Sequence, residues 1–144
     1  MIRHIDMRGA VLGAALAAIC ALPSSAQGPT GTFAFGGWTS FLANGLSTSV
    51  VTISSSPRVL ALVDCYNPNA SPVYIQIFNA ASGSVTLGAT TPTLSVPIGA
   101  GNTGGFAMQT SGIAFSTAIS VAATTTARGA TAPPAAPDCN FAYN

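Results

Sequence analysis

Between Val59 and Thr126 apolar and polar positions alternate in short runs separated by Gly, Pro, Asn and Ser, the pattern of a small antiparallel β-protein. Arg58 to Tyr66 has the strongest strand propensity, with Val59, Ala61, Val63 and Cys65 on one face and Leu60, Leu62, Asp64 and Tyr66 on the other. Apolar character on both faces near its start predicts a central strand. Asn67 to Pro72 reads as a turn. Val73 to Asn79 then sets Val73, Ile75 and Ile77 against Tyr74, Gln76 and Phe78.

Ala80 to Gly83 and Gly88 to Pro92 predict turns around a short edge strand at Val85 to Leu87. Thr93 to Ile98 is a strand whose Pro97 cannot donate to a ladder, which assigns it to an edge or a bulge. Gly99 to Gly105 is a glycine-rich loop, and Phe106 to Gln109 pairs briefly. Ile113 to Val121 alternates Ile, Phe, Thr, Ile and Val against Ala and Ser, which predicts one half-buried strand. Ala122 to Pro137 is Ala/Thr/Pro-rich and reads as a loop or an extended connector. Cys139 to Tyr143 makes a closing strand.

Upstream, Thr48 to Ser54 alternates Val, Thr and Ile, and Ser55-Ser-Pro57 turns. Trp38 to Gly45 fits a strand or a short helical turn, and a first strand enters near Thr32, where Phe33 and Phe35 alternate. The expectation is an all-β fold: a single antiparallel β-sandwich, jelly-roll or Ig-like, of about 7–8 short strands.

The N-terminus alters the domain picture. Arg3, His4 and Arg8 precede an apolar run from Gly9 to Leu22, and Ser24-Ser-Ala26 offers small residues to a signal peptidase. That run is shorter than the roughly 20 residues a bilayer span needs. Residues 1–26 therefore read as an export signal, and 27–144 as a single domain with no integral membrane segment. Leu16-Ala-Ala-Ile-Cys20 invites a lipoprotein reading, but Ile19 fills the position where a small residue is required. The expected location is secreted, periplasmic or at a bacterial cell surface.

After the signal only Arg58, Arg128, Asp64 and Asp138 are charged, and there is no Lys, Glu or His. Two arginines cannot neutralise a phosphate backbone, so nucleic acid is not an expected partner. Little charge also means little repulsion between copies, which favours self-association or packing with another surface or assembly protein. Cys65 and Cys139 are an even pair in an oxidising compartment and read as one disulfide. Closing that loop is worth roughly 4 kcal/mol on the chain-entropy account.

The strand Val73-Tyr-Ile-Gln-Ile-Phe-Asn79, then Gly88-Ala-Thr-Thr-Pro92 leading into Leu94-Ser-Val-Pro-Ile98, then a glycine-rich loop and Gly112 to Thr126 form a recurring pattern. Over Val50 to Thr126 the chain resembles small β-sandwich proteins encoded among phage virion structural genes and in related bacterial genomes. The resemblance implies a structural or surface-display module without catalysis.

The residues themselves point the same way. Ser and Cys nucleophiles need a His or Lys base, and zinc or copper needs His or free Cys, all lacking after the signal. No catalytic residue, metal ligand or cofactor is expected. The sharpest enzymatic arrangement is Asp64 beside Asp138, brought together by the adjacent cysteines to the spacing of a glycosidase pair. The same carboxylates with Asn140 would make a weak calcium site. The plain alternative is that each Asp faces solvent, caps a turn or pairs with Arg58 or Arg128. Gly99 to Gly105 lacks the Lys and the following helix of a phosphate loop. Asn69-Ala-Ser71 is formally a glycosylation acceptor, but Pro72 follows it. Trp38, Tyr66, Tyr74 and Tyr143 are candidates for a carbohydrate-stacking platform, against the alternative that they fill the core. The expected function is a secreted, non-enzymatic structural or surface-display protein, with a binding module for glycan or protein ligands as the second reading.

Overall fold

The computed structural model of the chain describes residues 34, 35, 37–108 and 111–144. Residues 1–26, expected as an export signal, with Cys20 among them, and Thr32, Phe33 and Gln109 lie outside the described residues. The strand segments are β1 (Ala34–Phe35), β2 (Trp38–Ala43), β3 (Val51–Ser54), β4 (Arg58–Tyr66) and β5 (Val73–Phe78), followed by β6 (Leu94–Ile98), β7 (Thr103–Ala107), β8 (Ile113–Phe115), β9 (Ile119–Thr124) and β10 (Asp138–Tyr143). Trp38 to Ala43 is thus strand, not helical turn.

Sheet A has the order β1-β2-β10-β4-β7, with β8 continuing beyond β7 along the same edge of β4. Sheet B has the order β3-β9-β5-β6. All pairings are antiparallel, and they nest: β2 with β10, β3 with β9, β4 with β7 and β8, β5 with β6. A long hairpin wound on itself in this way is a jelly roll. Of the two sandwich types expected, the strand order selects this one. With β1 set aside and β7 and β8 taken as one interrupted strand, eight strands remain.

Between the sheets lies one core, including Leu60, Val63, Ile75, Ile77, Phe115, Ile119, Val121 and Phe141. β4 enters it through a break in alternation. Leu60 and Val63 are both buried, although their odd spacing assigns them to opposite faces. Tyr143 stands opposite Leu60 and Ala142 opposite Leu62, which leaves Ala61 as the extra residue of a β-bulge. The expected face of Val59, Ala61, Val63 and Cys65 therefore holds only beyond the bulge. Strict alternation fails because one inserted residue reverses every side chain before it.

The run Ile113 to Val121 is two strands. β8 belongs to sheet A and β9 to sheet B, and the chain turns a corner at Ser116–Ala118. Asn79 pins this corner: its Oδ1 accepts from the Thr117 N–H (2.8 Å) and its Nδ2 donates to the Ser116 hydroxyl (2.9 Å). Ile113 and Phe115 meet the core from one side, Ile119 and Val121 from the other. The alternation passes through the corner undisturbed, so periodicity alone cannot detect it.

Three further expectations are corrected. Val85 to Leu87 is not a strand; a 3-10 turn at Ser82–Ser84 and later turns occupy that stretch. The glycine-rich loop ends early, since Gly104 and Gly105 lie within β7. Gly105 has φ +151°, and a Cβ there would overlap the Val63 carbonyl oxygen, so only glycine lets β7 lie this close to β4. Finally, the connector starts at Thr125, because Ala122 to Thr124 belong to β9 and are fully buried.

What buries them is the connector itself. The outer face of sheet B carries Gln76, Phe78, Ser120, Ala122 and Thr124, all at most 1% exposed. Gln76 Nε2 donates to the Gly129 carbonyl (2.9 Å) and to the Thr124 hydroxyl (2.6 Å). Ser120 Oγ donates to the Ala80 carbonyl (2.7 Å). Residues 79–93 and 125–137 thus roof sheet B, and a composition that reads as loose forms a packed third layer.

Candidate functional site

The disulfide joins Cys65 and Cys139 directly across the β4–β10 ladder, with both residues in the core. β10 is the last of the described strands, yet it lies between β2 and β4 and joins the two halves of sheet A. The bridge therefore ties the C-terminus to a central strand, as the sequence predicts.

Side chains alternate outward from this point. Asp64, opposite Asn140, and Asp138, opposite Tyr66, share the outer face of sheet A on a diagonal of the ladder, a relation that sets positions about 7–8 Å apart. Both are exposed. Asp138 Oδ1 accepts from the Gly45 N–H (2.8 Å), a turn-capping role. The two carboxylates are near each other but stand on an open sheet face, not in a cleft. Among the described residues, no group of three or more His, Cys, Asp and Glu side chains gathers to hold a metal. Arg128 sits in the roof over sheet B, on the far side from Asp138, so a pair between them does not form.

The four aromatic candidates are dispersed. Tyr143 packs against the core beside Leu60. Trp38 and Tyr66, the latter 48% exposed, belong to the outer face of sheet A but to opposite ends of it. Tyr74 lies on the outer side of sheet B, opposite Pro97 and Thr124. They form no common platform, because strand parity and topology send them to different surfaces.

Tyr74 instead lines a groove of about 350 Å³ with Asn69, Ser71, Pro72, Val73, Thr125 and Pro134. It opens where the β4–β5 loop meets the roof. Asn69 lines it, and the buried Asn67 holds Asn69 in place. Asn67, fully buried, donates its amide hydrogens to the carbonyls of Ser71 (2.9 Å), Gly99 (2.9 Å) and Ile98 (3.2 Å). Its Oδ1 accepts from the backbone N–H and the Nδ2 of Asn69. Asn69 in turn donates to the Ala135 carbonyl and accepts from the Ala135 N–H, both at 2.7 Å. The nitrogen a glycan would need at Asn69 is thereby engaged twice. The groove carries one aromatic ring, amide and hydroxyl groups and no charged side chain, which suits a neutral, hydroxyl-bearing ligand.

Asn67, Asn69 and Gln76 were not singled out as site-building residues by the sequence. Asn in a turn is ordinary composition, and Gln76 occupies a position that alternation assigns to solvent. Each also bonds a partner 31 to 66 residues away along the chain.

The opposite surface differs. Sheet A has no roof among the described residues: its outer face presents Trp38, Leu42, Leu62 and Ala142 half-buried, with Asp64, Asn140, Asp138 and Tyr66 exposed. Met108, 38% exposed, lies at its β7 edge. No helix among the described residues is long and apolar enough to cross a membrane. Comparison with family models, curated proteins and solved structures finds no significant match to the chain.

Proposed function

We propose that the chain is an exported, non-enzymatic structural module of a bacterial cell surface or virion-like assembly, and that it associates through the outer face of sheet A. The observation that carries this reading is the asymmetry of the sandwich. Among the described residues, one sheet is covered by the connector and the other carries no covering layer, with Trp38, Leu42, Leu62 and Ala142 half-buried on its outer face beside exposed Tyr66. An open apolar strip of this kind on a nearly uncharged surface favours contact between proteins. The resemblance of residues 50–126 to virion β-sandwich modules supports the same reading, as does a fold used for coats.

The exported protein, oxidised and run over a range of concentrations by gel filtration with light scattering, is expected to show concentration-dependent association. A monomer at every concentration overturns the reading. Leu62→Asp places a charge in the middle of the strip, and is expected to hold the protein monomeric at a cost in stability of about 1–2 kcal/mol.

The Tyr74 groove supports a second reading, a neutral glycan stacked on the ring and bonded by Ser71 and Thr125. Here Tyr74→Ala is expected to lower retention on a glycan array at least roughly tenfold with an unchanged melting curve. Equal retention by the two proteins would exclude the groove.

A further inference from the structure

We propose that a second copy of this chain docks its roof, through Arg128, onto the bare outer face of sheet A, so that copies stack face to roof. The inference rests on the self-association reading and gives it a direction.

The charges after the export signal are segregated by the fold. Both carboxylates, Asp64 and Asp138, are exposed on the outer face of sheet A. Arg58 is not on that face: it is in phase with core-facing Leu60 and lies at the end of β4, opposite Phe115. Arg128 is exposed in the turn closed by the Gly129 N–H and the Thr126 carbonyl (3.1 Å), and Gln76 Nε2 anchors that turn over the middle of sheet B. One face of the sandwich is thus acidic and the opposite one basic.

Only one of the three ways of apposing these surfaces matches charge. Two sheet A faces bring carboxylates against carboxylates with no arginine between them. Two roofs bring Arg128 against Arg128. Face against roof sets Arg128 against Asp64 and Asp138, where a guanidinium can bond a carboxylate in bidentate fashion. Around these groups the contact is apolar on both sides: Leu42, Leu62 and Ala142 on the face, exposed Ala127, Ala130 and Ala132 on the roof. Because the two surfaces lie on opposite sides of one molecule, the contact is heterologous. Each added copy presents a fresh face, and the stack stays open unless its rotation closes a ring.

Sedimentation velocity over a concentration series tests this on the exported protein and three variants. Arg128→Glu makes both surfaces acidic. Asp64→Lys with Asp138→Asn makes both basic, and the side-chain amide introduced by the second change keeps an oxygen for the Gly45 N–H. Each variant is expected to associate roughly tenfold more weakly than the parent, and an equimolar mixture of the two to regain the parent's association. The three substitutions together restore it within one chain, and added salt weakens association of the parent.

If the parent associates while Arg128→Glu associates equally well, or the mixture stays as weak as its components, face-to-roof stacking is wrong and self-association by another route stands. A monomeric parent overturns both. Should the Asp64/Asp138 variant fail to fold, judged by its melting curve, Arg128→Glu and the salt dependence decide.

Discussion

Replacing Cys65 and Cys139 together by alanine is expected to lower unfolding stability by about 4 kcal/mol, seen as a fall in melting temperature of about 15 °C. The bridge closes a segment of 74 residues, and loop-closure entropy explains most of that loss. Its position adds a structural consequence. β10 follows the other described strands in sequence, yet β2 reaches β4 only through it. Insertion of β10 requires pairing along two edges at once, in a register where a slip of one residue would turn Cys139 and Phe141 to solvent. The covalent link at Cys65 excludes every such slip. Urea melts of the oxidised parent, the reduced parent and the double variant measure the effect. The two forms lacking the bridge should coincide within about 1 kcal/mol, and a reduced parent as stable as the oxidised one would show that the ladder alone specifies the register.

Asn67→Asp is expected to cost about 3 kcal/mol or more at neutral pH although it changes a single atom. The Asn67 amide donates to three backbone carbonyls at full burial. A carboxylate there would donate nothing and would face those oxygens with a negative charge. Burial and carbonyl neighbours would raise the new carboxyl's pKa in the folded protein above its unfolded value. The group then favours folding most below the unfolded pKa, and that contribution is lost as pH rises through the folded one. The deficit against the parent should accordingly be smaller near pH 4 than near pH 7, as paired urea melts would show. A pH-independent deficit would mean that the loop opens and the carboxylate reaches water. Because Asn67 positions Asn69, and Asn69 holds the roof at Ala135, the variant should also loosen the Tyr74 groove. Hydrogen exchange at residues 134–136 reads that loosening directly.

The legible parts of this molecule are those governed by local chemistry. Val73 to Phe78 alternates as read because β5 is straight and flanked on both sides. Pro97 marks an edge because its missing N–H has no place inside a sheet, and β6 is indeed the outermost strand of sheet B. The cysteine pair followed from parity of count and compartment. Ile113 to Val121 shows where periodicity ceases to inform: the corner at Ser116–Ala118 preserves the inward phase, so two strands in two sheets carry the periodicity of one. β4 shows the converse, a single strand whose phase changes at Ala61.

The candidate site was the less legible part. Tyr74 stands out in the sequence only in the company of Trp38, Tyr66 and Tyr143, from which the fold separates it. A shared platform requires shared parity on adjacent strands, and adjacency in a jelly roll links strands far apart in sequence. The roof was hidden for the same reason. Ala, Thr and Pro between 125 and 137 have no periodicity to announce packing, and their burial depends on Gln76 and Asn69, more than 50 residues earlier.

From its sequence alone this chain is set to be a charge-poor, all-β domain with one disulfide, since composition, cysteine parity and a two-residue period are properties of neighbouring residues. Which of the two sandwich topologies forms, which sheet the connector roofs, and where Arg58, Arg128, Asp64 and Asp138 stand relative to one another were decided only in three dimensions. Those outcomes rest on hydrogen bonds and apolar contacts between segments that meet after the long hairpin has rolled up, and no local pattern encodes which surfaces that rolling brings together.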